Sequence, residues 1–265
     1  MKPHLISVIT PVHNSAQYIE ATINSVLKQT YPNWEMILID DCSKDQSVLI
    51  LNELIGKDPR FKIIENSYRS GPAITRNKGI SAAKGQFMTF LDSDDLWYPN
   101  FLETSLNTCL DNNFEFVFSS YERKDENLNP LISDFIVPKK VSYNEVLKTC
   151  PISCLTAFID IRRIGKYYMP ELKKRQDWAL WLALLKKIDY AYGIEQPLAI
   201  YRMRKNSVSR SKLKLIPYVW KVYREVENLS ILKSFYLLTH WSLNGFKKYY
   251  INVRYSKNNL PKTID

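Results

Sequence analysis

The sequence predicts an α/β fold in which a mostly parallel central sheet has helices on both faces and is followed by a helical basic segment. The main observation is that short β-rich runs alternate with helical patterns from residue 5 to residue 120. Such alternation is typical of parallel strands joined by crossover helices. The composition also fits a globular domain with a sizeable core, because 45% of the 265 residues are hydrophobic and 24% are charged.

Turn residues separate the elements of the first half. Residues 6–9 form a β-rich run that Pro11 and Asn14 end, and residues 16–29 place apolar side chains at helical spacing until Pro32 stops the pattern. Each later strand is likewise a short run rich in β-branched or aromatic residues, and each later helix has apolar residues three or four positions apart. Strands are expected at 35–39, 61–65, 87–91 and 115–119, and helices at 47–55, 72–83 and 99–110.

The second half is less regular. Residues 121–142 are polar and contain two prolines, which predicts a long loop. Helical spacing returns at 143–150 and 178–187, and residues 191–201 are expected to be extended. Aromatic and basic residues then mix at helical spacing over 215–255, which predicts the helical basic segment.

The positive charge is concentrated at the C-terminal end. Residues 202–265 contain 14 Lys/Arg and 3 Asp/Glu, whereas residues 1–201 contain 23 and 24. Nucleic acid and anionic lipid are the two anionic partners that this asymmetry suggests. No run of about 18 apolar residues is present, and the apolar run 5–12 lacks a cleavage site of small residues. We therefore expect a cytoplasmic protein without a transmembrane helix.

Several function classes are excluded by the scarcity of glycine, cysteine and histidine motifs. The seven glycines form neither GxGxxG nor GxxxxGK[ST], which disfavours a dinucleotide site and a P-loop ATPase. The four cysteines contain no CxxC pair and the three histidines are scattered, which disfavours a zinc site. Reduced cysteines are the simpler interpretation in a chain of this size.

Polar residues follow the predicted strands at the edge of the sheet where ligands bind in such folds. Asp92 and Asp94 alternate along an extended segment, so their carboxylates can converge on a hard cation such as Mg²⁺ or Mn²⁺. The alternative is that this acidic run caps the next helix. Asp40 and Asp41 can accept from a base N–H or a ribose hydroxyl, or else cap the helix that begins at Ser47.

Three more candidates lie further along the chain. Arg76 near a helix N-terminus is a candidate phosphate ligand, because a cation there is unfavourable unless an anion is close; the alternative is a surface arginine. Asp177 is a candidate general base or a helix N-cap. Arg202 and Arg204 suit a diphosphate, or else belong to the basic segment.

Taken in order, these motifs resemble the family 2 inverting glycosyltransferases, which have the GT-A fold. The resemblance is dense over residues 5–100 and returns at 170–205. It is carried by the runs VITPVHN at 8–14, QTY at 29–31, IDDCSKD at 39–45, GPAITRN at 71–77, FLDSDD at 90–95 and QDW at 176–178.

The resemblance implies a role for each matching position. Asp41 reads the uracil edge with Asp40 in support, Asp94 ligates a divalent metal, Mn²⁺ or Mg²⁺, on the diphosphate, and Asp177 is the catalytic base. The residues implied to line the nucleotide or hold its phosphates are Pro11, Val12, His13, Asn14, Arg76, Asp92, Ser93, Arg202 and Arg204.

Two positions depart from the family pattern. Cys42 stands where the family often has glycine, and little change is expected because cysteine is small. Arg204 stands where many members have a histidine that helps hold the metal or diphosphate. A guanidinium has no free lone pair and cannot ligate a metal, so Arg204 is expected to contact phosphate directly.

The implied function is transfer of a hexose or N-acetylhexosamine from a UDP-sugar to a hydroxyl of a glycan or lipid-linked saccharide in cell-surface polysaccharide synthesis. The expected organisation is a GT-A domain over 1–205, with a Rossmann-like nucleotide half at 1–120 and an acceptor half at 121–205, followed by a basic aromatic segment at 206–265. That segment predicts peripheral contact with an anionic membrane at its inner face. The alternative is a non-enzymatic protein that binds nucleic acid or sugar through this segment, although no nucleic-acid motif supports it.

Overall fold

A ten-stranded sheet forms the centre of the molecule. The computed structural model describes residues 3–204 and 215–246. In chain order the strands are β1 (Ile6–Val12), β2 (Trp34–Asp40), β3 (Phe61–Glu65), β4 (Phe87–Phe90), β5 (Leu96–Trp97), β6 (Phe116–Lys124), β7 (Pro130–Phe135), β8 (Lys140–Val141), β9 (Phe158–Asp160) and β10 (Ala191–Arg202).

The predicted α/β class with a central sheet is confirmed, but the sheet is mixed, because among the described residues four of its nine strand pairs are parallel and five are antiparallel. The order is β3-β2-β1-β4-β9-β6-β10-β5, with β7 paired to β6 and β8 to β10. The first four strands are parallel, and β10 is parallel to β6. The short strand β9 is antiparallel to both β4 and β6, so that it joins the two parallel parts.

Helices cover both faces of this sheet, as the strand–helix alternation predicts. Successive side chains along each strand point to opposite faces of the sheet, so the sheet has a hydrophobic core on each face. Ile9 and Ile37 lie in one hydrophobic cluster, whereas Val8 and Met36 lie in the other. In chain order the helices are α1 (Ile19–Leu27), α2 (Ser47–Ile55), α3 (Pro72–Ala82), α4 (Phe101–Asn112), α5 (Tyr143–Lys148), α6 (Ile161–Ile164), α7 (Gln176–Leu185), α8 (Ile216–Lys221) and α9 (Ile231–Phe246).

The prediction of a long loop over 121–142 is wrong, because β6 continues into this region and β7 pairs with it as an antiparallel strand. The Asp125 carboxylate accepts from the backbone N–H groups of Asn127 and Asn129 at 2.9 and 2.8 Å. This local turn reverses the chain into β7. Pro130 is the first residue of β7, a strand position where its missing N–H is tolerated.

The described part of the C-terminal segment is helical, as expected, and it packs on the sheet domain. Val219, Val222 and Tyr223 are fully buried in the same hydrophobic cluster as α3 and α7. The Tyr223 hydroxyl donates to the carbonyl of Leu147 at 2.6 Å. The domain boundary at 205 stays a prediction. Helix α8 nevertheless shares a hydrophobic core with residues 3–204, which are called the body below. No helix in the described ranges has the length and apolarity needed to cross a bilayer.

Candidate active site

The polar residues that follow β1, β2 and β4 meet at one edge of the sheet. Val12 pairs with Asp40 in the register of β1 and β2, and the Asp41 N–H donates to the Val12 carbonyl at 2.8 Å. On the other side of β1, the Leu91 N–H donates to the Ile9 carbonyl at 3.0 Å. The end of β4 therefore delivers residues 92–95 to the same edge as the motif of β1 and β2.

The loop after β1 is held by hydrogen bonds to the loop after β2. His13 Nδ1 lies 2.8 Å from the Asp41 carbonyl, and the Asn14 side chain accepts from the Lys44 N–H at 2.8 Å. Asn14 has a φ of 49°, a left-handed conformation that asparagine tolerates better than most residues. Pro11 pairs with Ile39 inside the sheet and Val12 is fully buried. The Val12 side chain therefore belongs to the core and does not face a ligand.

Asp41 fixes the loop that precedes α3. Its Oδ1 accepts from Asn66 Nδ2 at 2.8 Å and the Ser70 N–H at 2.7 Å, and its Oδ2 accepts from the Gly71 N–H at 2.8 Å. Burial alone would raise the pKa of Asp41, but these hydrogen bonds outweigh it and lower the pKa.

The alternative that Asp40 or Asp41 caps α2 is wrong, because neither carboxylate bonds the start of that helix. The Ser47 N–H donates to the Asp45 carboxylate at 3.0 Å instead. Asp40 Oδ2 accepts from the Ser43 N–H at 3.0 Å, while its buried Oδ1 has no partner among the described residues. Asp40 thus keeps an acceptor free in the protein.

Cys42 has a backbone conformation that favours glycine. Its φ is 58°, in the left-handed region that disfavours residues with a Cβ. Its thiol donates to the Asn66 carbonyl at 3.0 Å. Cys42 therefore adopts the left-handed conformation while its thiol ties the loop to Asn66.

The acidic segment 92–95 pairs with arginines rather than capping a helix. Asp92 forms an ion pair with Arg76, and Asp94 Oδ2 lies 2.8 Å from Arg204 Nη2. Asp95 Oδ1 accepts from the Arg202 N–H at 2.8 Å. The next helix, α4, begins only at Phe101, so the capping alternative is wrong for this segment.

Hydrogen bonds also tie the acidic segment to the loop after β1. Ser93 Oγ lies 2.6 Å from Ser15 Oγ, and the Thr22 hydroxyl lies 3.0 Å from the Asp95 carbonyl. Burial and the charges of Asp94 and Asp92 raise the pKa of Asp95. Burial together with Asp92 also raises the pKa of Asp94, although Arg204 opposes this. Three carboxylates therefore lie close together in a largely buried segment, where like charges disfavour the ionised forms of Asp94 and Asp95. A cation at this edge would stabilise their charged forms.

Arg76 is buried at the centre of the site, so the surface alternative is wrong for it. It lies in α3 and only 6% of it is exposed. Burial lowers the pKa of Arg76, but the charge and hydrogen bond of Asp92, with a smaller contribution from Asp177, outweigh burial and raise the pKa. Its Nε has no hydrogen-bond partner among the described residues. A buried cation with an unused donor is suited to an anionic ligand.

Asp177 stands in the first turn of α7 and does not cap it. The N-cap is Arg175, whose φ is 66°, and α7 has no side-chain capping bond. Asp177 is close enough to Arg76 and Cys154 to influence the pKa of each. Beside it, Gln176 Oε1 and Arg175 Nε are buried without hydrogen-bond partners among the described residues. The two residues that precede Asp177 thus each carry a polar atom that the described protein leaves unpaired.

The end of β10 places Arg202 and Arg204 against Tyr18. Their guanidinium carbons lie 4.8 and 5.5 Å from the centre of the Tyr18 ring, within the range of cation–π contact. Arg202 is largely engaged by the protein, since it also donates to the carbonyls of Asp94 and Glu126. Arg204 borders an open cleft of ≈ 540 Å³, whose lining is Asn14, Ala16, Gln17, Tyr18, Asp45, Glu126 and Arg204.

Three residues of this site are absent from the motifs of the sequence. Cys154 is buried beside Arg76, and burial raises the pKa of its thiol well above the usual value. Tyr18 supports the two arginines, and Asn66 supports Asp41. Asn66 follows β3 directly, so the strand-end argument would have found it. No pattern in the sequence points to Cys154.

Comparison with known proteins identifies the family. The sequence pattern described as "Glycosyl transferase family 2" matches residues 7–159. The chain is 40% identical over 244 residues to a putative teichuronic acid biosynthesis glycosyltransferase of Bacillus subtilis, TuaG, covering 92% of this chain and 97% of that protein. It is 35% identical over 258 residues to the Escherichia coli UDP-Glc:alpha-D-GlcNAc-diphosphoundecaprenol beta-1,3-glucosyltransferase WfgD, covering 97% and 100%.

Solved structures share the fold at low sequence identity. S. aureus TarS 1–349 in complex with UDP-GlcNAc aligns with a TM-score of 0.68 at 21% identity, over 92% of this chain and 73% of that one. The mannosyltransferase PcManGT of Pyrobaculum calidifontis, in complex with GDP-Man and Mn²⁺, aligns with a TM-score of 0.64 at 15% identity, over 92% and 75%. Together with the motif geometry, these matches show that the chain is a GT-A glycosyltransferase and belongs to glycosyl transferase family 2.

Proposed function

We propose that the protein is an inverting enzyme that moves a hexose or N-acetylhexosamine from a UDP-sugar to a hydroxyl of a glycan or lipid-linked saccharide in cell-surface polysaccharide synthesis. The observation that carries this proposal is the convergence of Asp177, Arg76 and Asp92 at the carboxyl edge of the sheet. The relatives support the substrate class: WfgD is named for a UDP-Glc donor and a diphosphoundecaprenol-linked acceptor, and TuaG for teichuronic acid synthesis.

The UDP moiety is proposed to lie across the ends of β1, β2 and β4. The base contacts the loop of Pro11, Val12, His13 and Asn14. Asp41 Oδ2 accepts one protein hydrogen bond and has a second lone pair for the uracil edge. The free Oδ1 of Asp40 supports the same contact.

The ribose and phosphates continue towards the acidic segment. Asp92 and Ser93 lie near the ribose, and Arg76 uses its free Nε towards the nucleotide. Arg202 contributes through Nη2, which is buried and has no partner among the described residues.

Asp177 acts as the general base in this proposal. Its carboxylate takes the proton of the acceptor hydroxyl while that oxygen attacks the anomeric carbon. The bond from that carbon to the diphosphate oxygen breaks, and UDP leaves with the bonding electrons. One displacement inverts the anomeric centre, and general-base catalysis of this kind contributes about 10²–10⁴-fold to the rate.

The residues near Asp94 fit a Mg²⁺ or Mn²⁺ ion that is held jointly with a diphosphate. Among the described residues no group of three or more His, Cys, Asp or Glu side chains can hold a metal without other ligands. Mg²⁺ in nucleotide sites usually takes one or two carboxylates and completes its shell with phosphates and water. Asp94 would hold the ion, which when bound neutralises charge on the leaving diphosphate.

Arg204 competes for the same carboxylate. Its Nη2 lies 2.8 Å from Asp94 Oδ2, and a guanidinium also binds a diphosphate well. We propose that Arg204 neutralises Asp94 before the donor arrives and moves to the diphosphate when donor and metal bind together. The side chain of Arg204 is 40% exposed, so this movement needs little repacking.

The reaction is proposed to take place at the inner face of the cell membrane, with the protein bound peripherally. The acceptor class of the relative WfgD supports this placement, since that acceptor carries an undecaprenol lipid. The excess of 14 Lys/Arg over 3 Asp/Glu in residues 202–265 supports it independently.

The role of Asp177 is tested by Asp177→Asn. The substitution keeps the shape of the side chain and removes the proton acceptor, so transfer should fall by at least about 100-fold while calorimetric UDP binding stays at the wild-type affinity. Asp189→Asn is the matched control, because Asp189 is exposed beyond the end of α7. Turnover of Asp177→Asn within tenfold of wild type would show that another group is the base.

Metal binding is tested by titrating UDP in Mn²⁺ and then in EDTA. We expect tighter UDP binding in Mn²⁺, with Asp94→Ala abolishing the difference. Arg204→Gln should strengthen Mn²⁺ binding in the absence of nucleotide, measured by electron paramagnetic resonance, because the competing cation is removed. Equal UDP affinity in Mn²⁺ and EDTA would mean that the arginines alone hold the diphosphate.

A further inference from the structure

Helix α9 has an apolar surface that nothing in the described chain covers. Eleven large hydrophobic side chains are exposed in the described ranges, and five of them lie within thirteen residues of this helix. Leu232 is 84% exposed, the highest value among them. We name this surface the α9 face; it consists of Ile231, Leu232, Phe235, Tyr236 and Leu243.

The α9 face is distinct from the side of the helix that packs on the body. At 100° per residue, its five members fall within an arc of about 140°. On the other side, Leu237 is buried in the main hydrophobic cluster and Trp241 packs against it. Trp220 of α8 extends the face, since its ring lies 5.1 Å from that of Phe235. A helix that is apolar on two sides has a second apolar environment to satisfy.

We propose that the α9 face docks on an anionic lipid surface, with α9 lying in the plane of the interface. This inference rests on the proposed function only in that a lipid-linked acceptor requires the enzyme to meet a membrane. Charge complementarity supports it, because the adjoining sequence segments 205–214 and 247–265 contain nine Lys/Arg and one Asp. Aromatic side chains, aliphatic side chains and flanking cations are the composition of interfacial helices.

A second copy of this chain is the competing occupant, and charge argues against it. Two copies of this chain would each carry the same excess of Lys/Arg over residues 202–265, and like charges oppose association. An anionic bilayer attracts the same charges. Lys233 and Lys221 are exposed on α9 and α8, so the described helices add to this attraction.

The packed side of α9 explains why docking here serves the reaction. The guanidinium carbon of Arg175 lies 5.5 Å from the centre of the Trp241 ring. Arg175 is the N-cap of α7, two residues before Asp177. A helix with its side chains is about 10 Å across. The bilayer surface would therefore lie about one helix diameter from Arg175, and an acceptor whose lipid stays in the membrane could reach the proposed base two residues further on.

The test is sedimentation of the full chain with vesicles of phosphatidylglycerol or of phosphatidylcholine alone. We expect binding to the anionic vesicles, and at least about a tenfold weaker partition for the double variant Leu232→Ser/Phe235→Ser. Leu49→Ser is the matched control, because Leu49 is 56% exposed on α2, away from α9, and it should bind like wild type. Calorimetric UDP binding should be unchanged in all three proteins.

Different failures have different meanings. Wild-type binding of UDP without binding of anionic vesicles would overturn the docking proposal and leave the proposed function intact. Equal vesicle binding by the double variant and wild type would also overturn it. A concentration-dependent dimer that the double variant abolishes, together with absent vesicle binding, would assign the α9 face to a second copy. Vesicle binding without UDP binding would support docking and contradict the proposed function.

Discussion

At the scale of single residues, Asp41 shows how one carboxylate organises the site. It joins the end of β2 to the loop before α3 through the N–H groups of Ser70 and Gly71 and the side chain of Asn66. Because α3 carries Arg76, the position of that guanidinium depends on hydrogen bonds that Asp41 accepts. Asp41 is thus a structural anchor as well as a proposed nucleotide contact.

Asp41→Asn should destabilise the ligand-free protein in a pH-dependent manner. The hydrogen bonds lower the pKa of Asp41 in the folded state, so its stabilising contribution is complete above the unfolded pKa of about 3.9 and is lost as the pH falls through the folded pKa. At pH 7 we expect a loss of about 1–3 kcal/mol in unfolding free energy. Urea unfolding of wild type and Asp41→Asn at pH 7 and at pH 3 measures this loss. An equal loss at the two pH values would contradict the stabilising role of the ionised Asp41 carboxylate.

Cys42 leads to a second prediction at this scale. Because its φ is 58°, Cys42→Val should reduce the unfolding free energy by about 1–2 kcal/mol, since a β-branched residue is strained in that conformation. Cys42→Gly is the control and should stay near wild type, because glycine relieves the backbone but loses the thiol hydrogen bond to Asn66. Thermal unfolding measures the stability of the two variants. A Cys42→Gly variant less stable than Cys42→Val would show that side-chain packing outweighs backbone strain at this position.

At the scale of elements, the sequence indicated the parallel half well and the antiparallel additions poorly. The strands β1 to β4 were found because turn residues follow them, although β1 continues through Pro11 to Val12. In contrast, the two-residue strand β5 was not predicted. Strand β9 has only three residues, too few to show a period of two. The β6–β7 hairpin was missed because Pro130 and the polar residues around it are typical of a loop. Strand β7 is formed by its pairing with β6, which its own sequence does not indicate.

Strand β10 supplies a prediction about close packing. An added Cβ on Gly193 would lie 2.0 Å from the Pro138 carbonyl oxygen, and a backbone atom cannot rotate away. Gly193→Ala should therefore lower the unfolding free energy by about 1–3 kcal/mol. Glu195→Ala, at an exposed position of the same strand, is the control. Equal denaturation midpoints for the two variants would mean that residues 137–139 move freely.

At the scale of the whole molecule, the functional pairings join distant parts of the chain. The motifs identified Arg76, Asp92, Asp94 and Arg204 as candidates, but the sequence did not show which arginine meets which carboxylate. That information is in the strand order, which places the end of β10 beside residues 94 and 95. The packing of Cys154 beside Arg76 depends on the same long-range geometry.

The C-terminal helices should be required for the stability of the body. A chain that ends at residue 204 exposes the surfaces that Val219, Val222 and Tyr223 cover. Each large apolar side chain contributes about 1.5–3 kcal/mol when buried, so the loss is comparable to the 5–15 kcal/mol that stabilises a typical domain. Urea unfolding of a chain of residues 1–204 and of a chain of residues 1–246 compares their free energies of unfolding. Equal midpoints would show that the helices only rest on the body.

The ends of the sheet bear on how copies of the protein behave in concentrated solution. One end is β3, a strand of five residues with exposed Lys62 and Glu65, and the other is β5, with two residues. A short or charged outer strand is a poor template for a neighbouring chain. Growth of fibrils by sheet extension is therefore disfavoured at both ends, and a recombinant preparation should tolerate high concentration best when detergent or lipid shields the exposed α9 face.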